Sequence, residues 1–165
     1  MALINDAGRL LALTTACAVT SCSTYPAVGN AAFEAFLDQV DAAQVAFQQG
    51  KPQQYEALWS HQPDITLAGG FGGGFEQGWD RVHKRLEWAS AQFRNGRNEV
   101  RRLAVSANGT IGYVVQTEHL MFNTPGRTEP VERDYRVTML FRREQGAWRI
   151  IHRHADSKTD QTAPR

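Results

Sequence analysis

A change in hydrophobic period divides this chain into two parts and most constrains its fold. In the first part, apolar residues recur every three or four positions, as on one face of an amphipathic helix. In the second part, long segments alternate like β-strands, and Asn108-Gly109 and Gln145-Gly146 are typical of tight turns between antiparallel strands. Helices followed by a run of strands predict an α+β fold, with three N-terminal helices packed on a mostly antiparallel sheet.

Three helices are predicted from stripes of apolar residues. The first follows Asn30, whose side chain can cap the free amides of a first turn, and it ends at Gly50. The second is short and begins near Pro52. The third ends near Asn95-Gly96. The stripes of the first and third helices are Phe33, Phe36, Leu37, Val40, Ala43 and Phe47, and Trp79, Val82, Leu86, Ala89 and Phe93.

The strands follow a glycine-rich segment. A strand is predicted over residues 64–68, and five glycines then fall within residues 69–75. This segment lacks the lysine and hydroxyl residue of a phosphate-binding loop and the spacing of a dinucleotide fingerprint, so we interpret it as a turn or bulged hairpin. Four longer strands are predicted, over residues 100–106, 110–122, 131–143 and 147–155.

The length, net charge and cysteine content of the chain limit the number of domains and the kinds of partner that it can have. The chain has 165 residues and a formal net charge of +1, which suits one domain with short extensions. Because phosphate binding needs a basic surface, the near-neutral charge argues against nucleic acid as a partner. Two cysteines cannot form a disulfide scaffold. We therefore predict one domain over residues 30–157, an extension over residues 1–29 and a polar tail over residues 158–165.

The N-terminal extension carries features of an export signal. Residues 10–19 form an apolar stretch that is too short to span a bilayer but long enough for the core of a signal peptide. The small residues before Cys22 resemble a bacterial lipobox, in which the cysteine becomes lipid-modified after cleavage. This predicts an exported protein anchored at the cell envelope through Cys22. The one positively charged side chain before this stretch, Arg9, is offset by Asp6. A signal peptide usually begins with a net positive charge, so a cytoplasmic protein with a disordered extension is the alternative.

The predicted strands carry bulky side chains on both faces. In the strand over residues 131–143, alternation places Val137 and Phe141 on one face and Leu140 on the other. In the last strand, alternation places His152 and His154 on the same face as Ile150. A sheet that covers helices on one side and another subunit on the other has this pattern. We therefore predict a homodimer.

Three groups of segments resemble the nuclear transport factor 2-like superfamily, in its SnoaL-like and ketosteroid isomerase-like branch. They are residues 75–80 with 86–89, residues 112–115, and the strand–turn–strand over residues 136–154. The resemblance implies a cone of three helices on a strongly curved sheet, with a pocket at the wide end and dimerisation through the convex face. The superfamily includes isomerases, cyclases, dehydratases and hydrolases as well as non-catalytic binding and oligomerisation domains, so the resemblance implies a pocket and not a reaction.

Two groups of polar residues are candidates for this pocket. Glu118 and Arg136 lie at similar distances from the loop at residues 123–130, and we expect them to face each other across adjacent strands. Arg136 would then bind a carboxylate ligand through two hydrogen bonds, or the two residues would form a surface pair. His152 and His154 would line the pocket or its rim.

The spacing of His152 and His154 also allows metal binding, with Asp156 or His119 as a third ligand. We favour the interpretation without a metal. Nothing in the sequence calls for a cofactor.

Three functional hypotheses follow. The first is a non-catalytic domain that binds an apolar molecule bearing a carbonyl or carboxylate, anchored by Arg136 and His152. The second is an isomerase, cyclase or dehydratase in which His152 or Glu118 is the base and Arg136 or Tyr113 stabilises an oxyanion. The third is an oligomerisation module, which predicts a filled cone.

Aromatic residues would form the pocket walls in the first hypothesis. Tyr113 and Trp79 are the candidates, and His83 lies four residues after Trp79 on the same side of the third helix. We expect Trp79 and His83 to lie at the mouth of the cone, with a position on the exposed shoulder of the helix as the alternative for His83.

Overall fold

The computed structural model of the protein describes residues 28–157 and shows an α+β fold in which a short pair of strands comes between the second and third helices. Residues 1–27, which include Cys22, and the tail over residues 158–165 lie outside the described residues. The helices are α1 (Val28–Phe47), α2 (Gln53–Glu56) and α3 (Trp79–Ser90), and the strands are β1 (Thr66–Ala68), β2 (Glu76–Gln77), β3 (Arg94–Ala107), β4 (Ile111–Asn123), β5 (Pro130–Glu144) and β6 (Ala147–Ser157). Within this part of the chain, no helix is both long and apolar enough to cross a membrane.

The six strands form one curved sheet in the order β2-β1-β6-β5-β4-β3. Neighbouring strands are antiparallel except β1 and β6, which run parallel. At the turn between β5 and β6, Gln145 and Gly146 have φ angles of 49° and 85°, as a two-residue turn that matches the twist of its strands requires. The interpretation of the glycine-rich residues 69–75 as part of a hairpin is confirmed, because β1 and β2 pair antiparallel on either side of them.

Helix α1 buries its apolar stripe against one face of the sheet, which we call the inner face. All six residues of the predicted stripe are buried. The rings of Phe33 and Phe141 meet edge to face with centroids 5.2 Å apart. Gly112 of β4 lies beneath Phe33, where an added Cβ would lie 2.6 Å from the ring. Glycine therefore allows the helix to approach the sheet this closely.

A bulge in β6 changes which side chains face the helices. Leu140 of β5 pairs with His152, but Phe141 pairs with Ile150, so Ile151 is an extra residue in β6. An extra residue reverses the alternation of a strand beyond it. The prediction that His152 and His154 share a face with Ile150 is therefore wrong. They lie on the other face, which we call the outer face.

Candidate functional site

A cavity of about 70 Å³ lies between α1, α3 and the inner face of the sheet. That is several times the roughly 10–15 Å³ that a single water needs by this measure. Most of its lining is apolar, with Phe47, Leu67, Phe93 and Leu120 among the contributing residues. Polar side chains also contribute to this lining. They are Gln44 of α1, Gln48 directly after it, Tyr55 of α2, Arg85 of α3, Glu118 of β4, Tyr135 of β5 and Arg153 of β6.

Glu118 and Arg153 form a buried ion pair in the cavity wall. Arg153 Nη2 donates to Glu118 Oε2 at 2.8 Å, and Nη1 donates to Oε1 at 2.9 Å. Gln44 Nε2 also donates to Oε2 at 2.8 Å, and Gln116 Nε2 donates to Oε1 at 2.7 Å. The Glu118 side chain is 1% exposed and that of Arg153 is 11% exposed. Each carboxylate oxygen therefore has two protein donors in place of water.

These contacts set the charge of the pair. Burial alone would raise the pKa of Glu118, but the charge and hydrogen bonds of Arg153, with those of Gln116 and Gln44, hold that pKa below its usual range. Burial would lower the pKa of Arg153, and Glu118 raises it instead. Both groups are therefore charged at neutral pH. A carboxylate with a lowered pKa and four donors is a poor general base.

Three oxygen atoms at the cavity have no hydrogen-bond partner within residues 28–157. They are Gln44 Oε1, Gln48 Oε1 and the Tyr55 hydroxyl, and each belongs to a residue that is buried to at least nine-tenths. Burial raises the pKa of Tyr55 to about 12, so the phenol is neutral and can donate a hydrogen bond. A buried polar group without a partner costs about 1–3 kcal/mol, and such groups call for an explanation.

The glycine-rich segment and α3 form the mouth of the cavity. Arg85 Nη2 donates to the Gly72 carbonyl oxygen at 2.6 Å, and the guanidinium lies 4.5 Å from the centre of the Trp88 ring. A Cβ at Gly70 would lie 2.6 Å from Tyr135 Cε1. Glycine at this position therefore lets the loop lie against the inner face beside the cavity.

Arg136 lies on the outer face, away from this cavity. It stands opposite Thr117, while Glu118 stands opposite Tyr135, so the predicted meeting of Glu118 and Arg136 is wrong. Successive residues of a strand point to opposite faces, and a shift of one position separates the two side chains. Arg136 instead binds Asp156, with Nε donating to Oδ1 at 3.1 Å and Nη2 donating to Oδ2 at 2.8 Å.

His152, His154 and Tyr113 also lie on the outer face. His152 Nδ1 is 2.7 Å from Thr66 Oγ1, and the His154 ring is 5.6 Å from that of Phe75. Tyr113 is exposed and stands opposite Leu140. Because none of the three lines the cavity, their predicted positions as pocket residues are wrong. Whether they bind a ligand or take part in catalysis elsewhere stays a prediction.

The proposed metal ligands have other contacts. Asp156 accepts from Arg136, and His119 Nδ1 is 2.9 Å from Asp134 Oδ1. Among residues 28–157, no group of three or more histidine, cysteine, aspartate or glutamate side chains is arranged to hold a metal ion.

Trp79 and His83 lie together at the start of α3, as their spacing predicts, with ring centroids 5.0 Å apart. Trp79 also stacks on His61 at 3.8 Å. His83 Nε2 is 3.6 Å from Glu56 Oε2. Neither Trp79 nor His83 lines the cavity, so the prediction that they lie at its mouth is wrong.

Among the polar residues of the cavity, sequence reasoning missed Arg153, Gln44 and Gln48. The position of Arg153 on the inner face could not be predicted, because the bulge in β6 that places it there leaves no clear signal in the sequence. Gln44 and Gln48 do leave a signal, since they lie four and eight residues after Val40 on the apolar side of α1. Polar residues within an apolar helix stripe are candidates for a buried polar site.

Comparisons with known proteins agree with this architecture. Residues 34–157 match the family model of the SnoaL-like domain. No curated protein sequence matches the chain. A nuclear transport factor 2-like superfamily protein from Salmonella enterica has a similar structure, with 12% identity, a TM-score of 0.67, and coverage of 81% of this chain and 95% of that chain.

Two further structures are similar. One is a hexachlorocyclohexane dehydrochlorinase from Novosphingobium barchaimii, with 11% identity, a TM-score of 0.64, and coverage of 81% of this chain and 92% of that chain. The other, from Xanthomonas campestris, is assigned as a calcium/calmodulin-dependent protein kinase II association domain, with 14% identity, a TM-score of 0.63, and coverage of 78% and 87%. At these identities, the similarity is evidence for the fold alone.

Proposed function

Because the chain belongs to the SnoaL-like domain family, we propose that it binds a small apolar molecule with one polar group and catalyses no reaction on it. The binding site is the cavity between α1, α3 and the inner face. The observation that carries this proposal is the pairing of an apolar lining with buried, unpartnered oxygens of Gln44, Gln48 and Tyr55. Apolar walls with a few polar groups are typical of small-molecule sites.

Two features favour binding over acid–base catalysis. Glu118 is the sole carboxylate among the described residues that line the cavity, and Arg153 holds it in its charged form. None of the described lining residues is a histidine. An acid–base enzyme needs a group that exchanges a proton near neutral pH beside its substrate. His152, the other predicted base, lies on the outer face.

The proposal includes a homodimer that forms through the outer face. This face exposes several large apolar side chains, which a second subunit would cover. They are Leu103, Ile111, Tyr113 and Leu140. A module that only oligomerises predicts a filled interior, so the cavity on the inner face favours a domain that also binds a ligand.

Anchoring at the cell envelope through a lipid on Cys22 stays part of the proposal. The sequence before Cys22 supports it. Mass spectrometry of the protein recovered from the membrane and soluble fractions tests it: an exported chain gives a diacylated Cys22 in the membrane fraction, and a cytoplasmic chain gives an intact leader in the soluble fraction.

Native mass spectrometry of the full chain, purified without added ligand, tests binding and dimerisation together. We expect a dimer that carries extra mass and releases it on gentle activation. In the variant Ala89→Phe, a ring added to the cavity lining should abolish this extra mass. The variant Ala35→Phe, which adds the same ring to an exposed position of α1, is the matched control and should keep it.

Two results would contradict the proposal. The first is a wild-type chain without bound mass that also fails to bind small apolar probes added at millimolar concentration. The second is equal loss of the bound mass in Ala89→Phe and Ala35→Phe. A monomer under the same conditions would contradict the proposed dimer and leave the binding site as it is.

A further inference from the structure

The hydrogen-bonding capacity of the cavity depends first on the orientation of Gln44. Its Nε2 donates to Glu118 Oε2 at 2.8 Å, and an ionised carboxylate can only accept. The amide group therefore has one orientation, in which Oε1 is the atom without a partner. Gln44 thus offers the cavity a hydrogen-bond acceptor.

Tyr55 offers the complementary group. Its ring is held by Phe47 at a centroid distance of 5.2 Å and by Trp59 at 6.3 Å. The hydroxyl is buried and has no partner among the described residues. A neutral phenol can donate one hydrogen bond and accept others. The cavity lining therefore offers a donor from Tyr55 and an acceptor from Gln44, and Gln48 adds a second oxygen without a partner.

Charged ligands do not match this arrangement. A carboxylate would face the charge of Glu118 and the amide oxygen of Gln44, while both terminal nitrogens of Arg153 already donate to Glu118. The other cation at the cavity, Arg85, lies at the mouth and donates to the Gly72 carbonyl. An ammonium group would need a free carboxylate, and Arg153 neutralises Glu118. Burial of an uncompensated charge costs more than burial of a neutral polar group.

Among neutral groups, a hydroxyl matches best. A ketone can accept from Tyr55 but leaves Gln44 Oε1 without a donor. A hydroxyl can accept from Tyr55 and donate to Gln44 at the same time. We propose that the ligand is an apolar alcohol whose hydroxyl group bridges Tyr55 and Gln44. This inference rests on the proposed function and replaces the carbonyl or carboxylate expected from the sequence.

Four probes with one aromatic ring test this inference by titration calorimetry on the full chain. They are 1-phenylethanol, acetophenone, benzoate and ethylbenzene, which differ chiefly in the polar group. One additional satisfied hydrogen bond corresponds to roughly a tenfold change in affinity. We expect 1-phenylethanol to bind about tenfold more tightly than acetophenone, and benzoate to bind most weakly.

The variant Tyr55→Phe sharpens the test. Because the hydroxyl has no hydrogen-bond partner within residues 28–157, its removal should leave the fold intact, as circular dichroism would show. The affinity for 1-phenylethanol should fall about tenfold, and the affinity for ethylbenzene should not change. Thr117→Val removes a hydroxyl from the outer face and is the matched control, with no expected change for either probe.

The outcomes separate this inference from the proposed function. The inference is overturned if acetophenone or benzoate binds as tightly as 1-phenylethanol, or if Tyr55→Phe leaves the affinity for the alcohol unchanged. The proposed function survives both results, because ethylbenzene would still bind. If no probe binds, ethylbenzene included, the proposed function fails and the inference fails with it.

Discussion

The two faces of the sheet carry the same chemical pair in opposite surroundings. On the inner face, Arg153 binds Glu118 through two hydrogen bonds, and the side chains are 11% and 1% exposed. On the outer face, Arg136 binds Asp156 through two hydrogen bonds, and the side chains are 58% and 45% exposed. Water competes for the hydrogen bonds of the outer pair, whereas in the inner pair protein groups supply the hydrogen bonds in place of water. Loss of the same contact is therefore expected to lower the free energy of unfolding by different amounts on the two faces.

The largest expected effect is that of breaking the inner pair. Arg153→Met leaves Glu118 charged and buried without its cation, so the free energy of unfolding should fall by about 3–5 kcal/mol. Arg136→Met makes the same change on the outer face, where the expected loss is less than about 1 kcal/mol. Urea unfolding of both variants measures the difference. Equal losses would mean that burial does not distinguish the two pairs.

A pair of glycines extends the comparison to the loop beside the cavity. In Gly70→Ala, the added methyl group would lie 2.6 Å from Tyr135 Cε1 on the inner face, and overpacking of this kind costs about 1–3 kcal/mol. Nothing lies within 4 Å of a Cβ at Gly74, so Gly74→Ala should leave stability nearly unchanged. Thermal unfolding monitored by circular dichroism would reveal the difference. Equal melting temperatures would show that the loop moves at Gly70 and relieves the contact between the added methyl group and Tyr135.

A smaller effect is expected in the dependence of stability on pH. The pKa of Glu118 lies below its ordinary value of 4.5 in the folded protein, since the contacts of Arg153 outweigh burial. Its contribution to stability is therefore fully present above pH 4.5 and is lost as the pH falls through the lower, folded pKa. The unfolding free energy measured between about pH 3 and pH 6 should thus fall less steeply on acidification in Glu118→Gln than in the wild type. Identical slopes would contradict the charged state assigned to Glu118.

An exposed histidine on the outer face has a pKa shift of the opposite sign. The hydrogen bond that the imidazole of His119 donates to Asp134 raises the pKa of His119 above its ordinary value of 6.5. The contribution of His119 is therefore present below pH 6.5 and is lost as the pH rises through the folded pKa. Because both side chains are exposed, solvent screens the pair and its effect is the smallest of these.

The inner face could be predicted from the sequence more fully than the outer face. The apolar stripe of α1 has a clear period, and all six of its residues are buried as expected. Glu118 was a predicted site residue and does line the cavity, although with Arg153 as its partner and not Arg136. The error came from strand register, which alternation alone does not specify to within one residue.

The end of β6 could not be predicted because its alternation changes in mid-strand. Before Ile151 the pattern predicts the faces correctly, and after it the inner residues are Arg153 and Ala155 in place of His152 and His154. Histidine residues attract attention in a sequence because an unperturbed imidazole changes its charge near neutral pH. Here they occupy the outer face and do not line the cavity between α1, α3 and the sheet.

The location of bound ligand on the inner face is the central claim, and nuclear Overhauser contacts test it directly. In the full chain with methyl-labelled leucines and bound ethylbenzene, we expect contacts from the ring protons of the ligand to the methyl groups of Leu67, Leu86 and Leu120, which line the cavity. We expect none to Leu103 or Leu140, which are exposed on the outer face. Contacts to the outer-face leucines alone would contradict the claim.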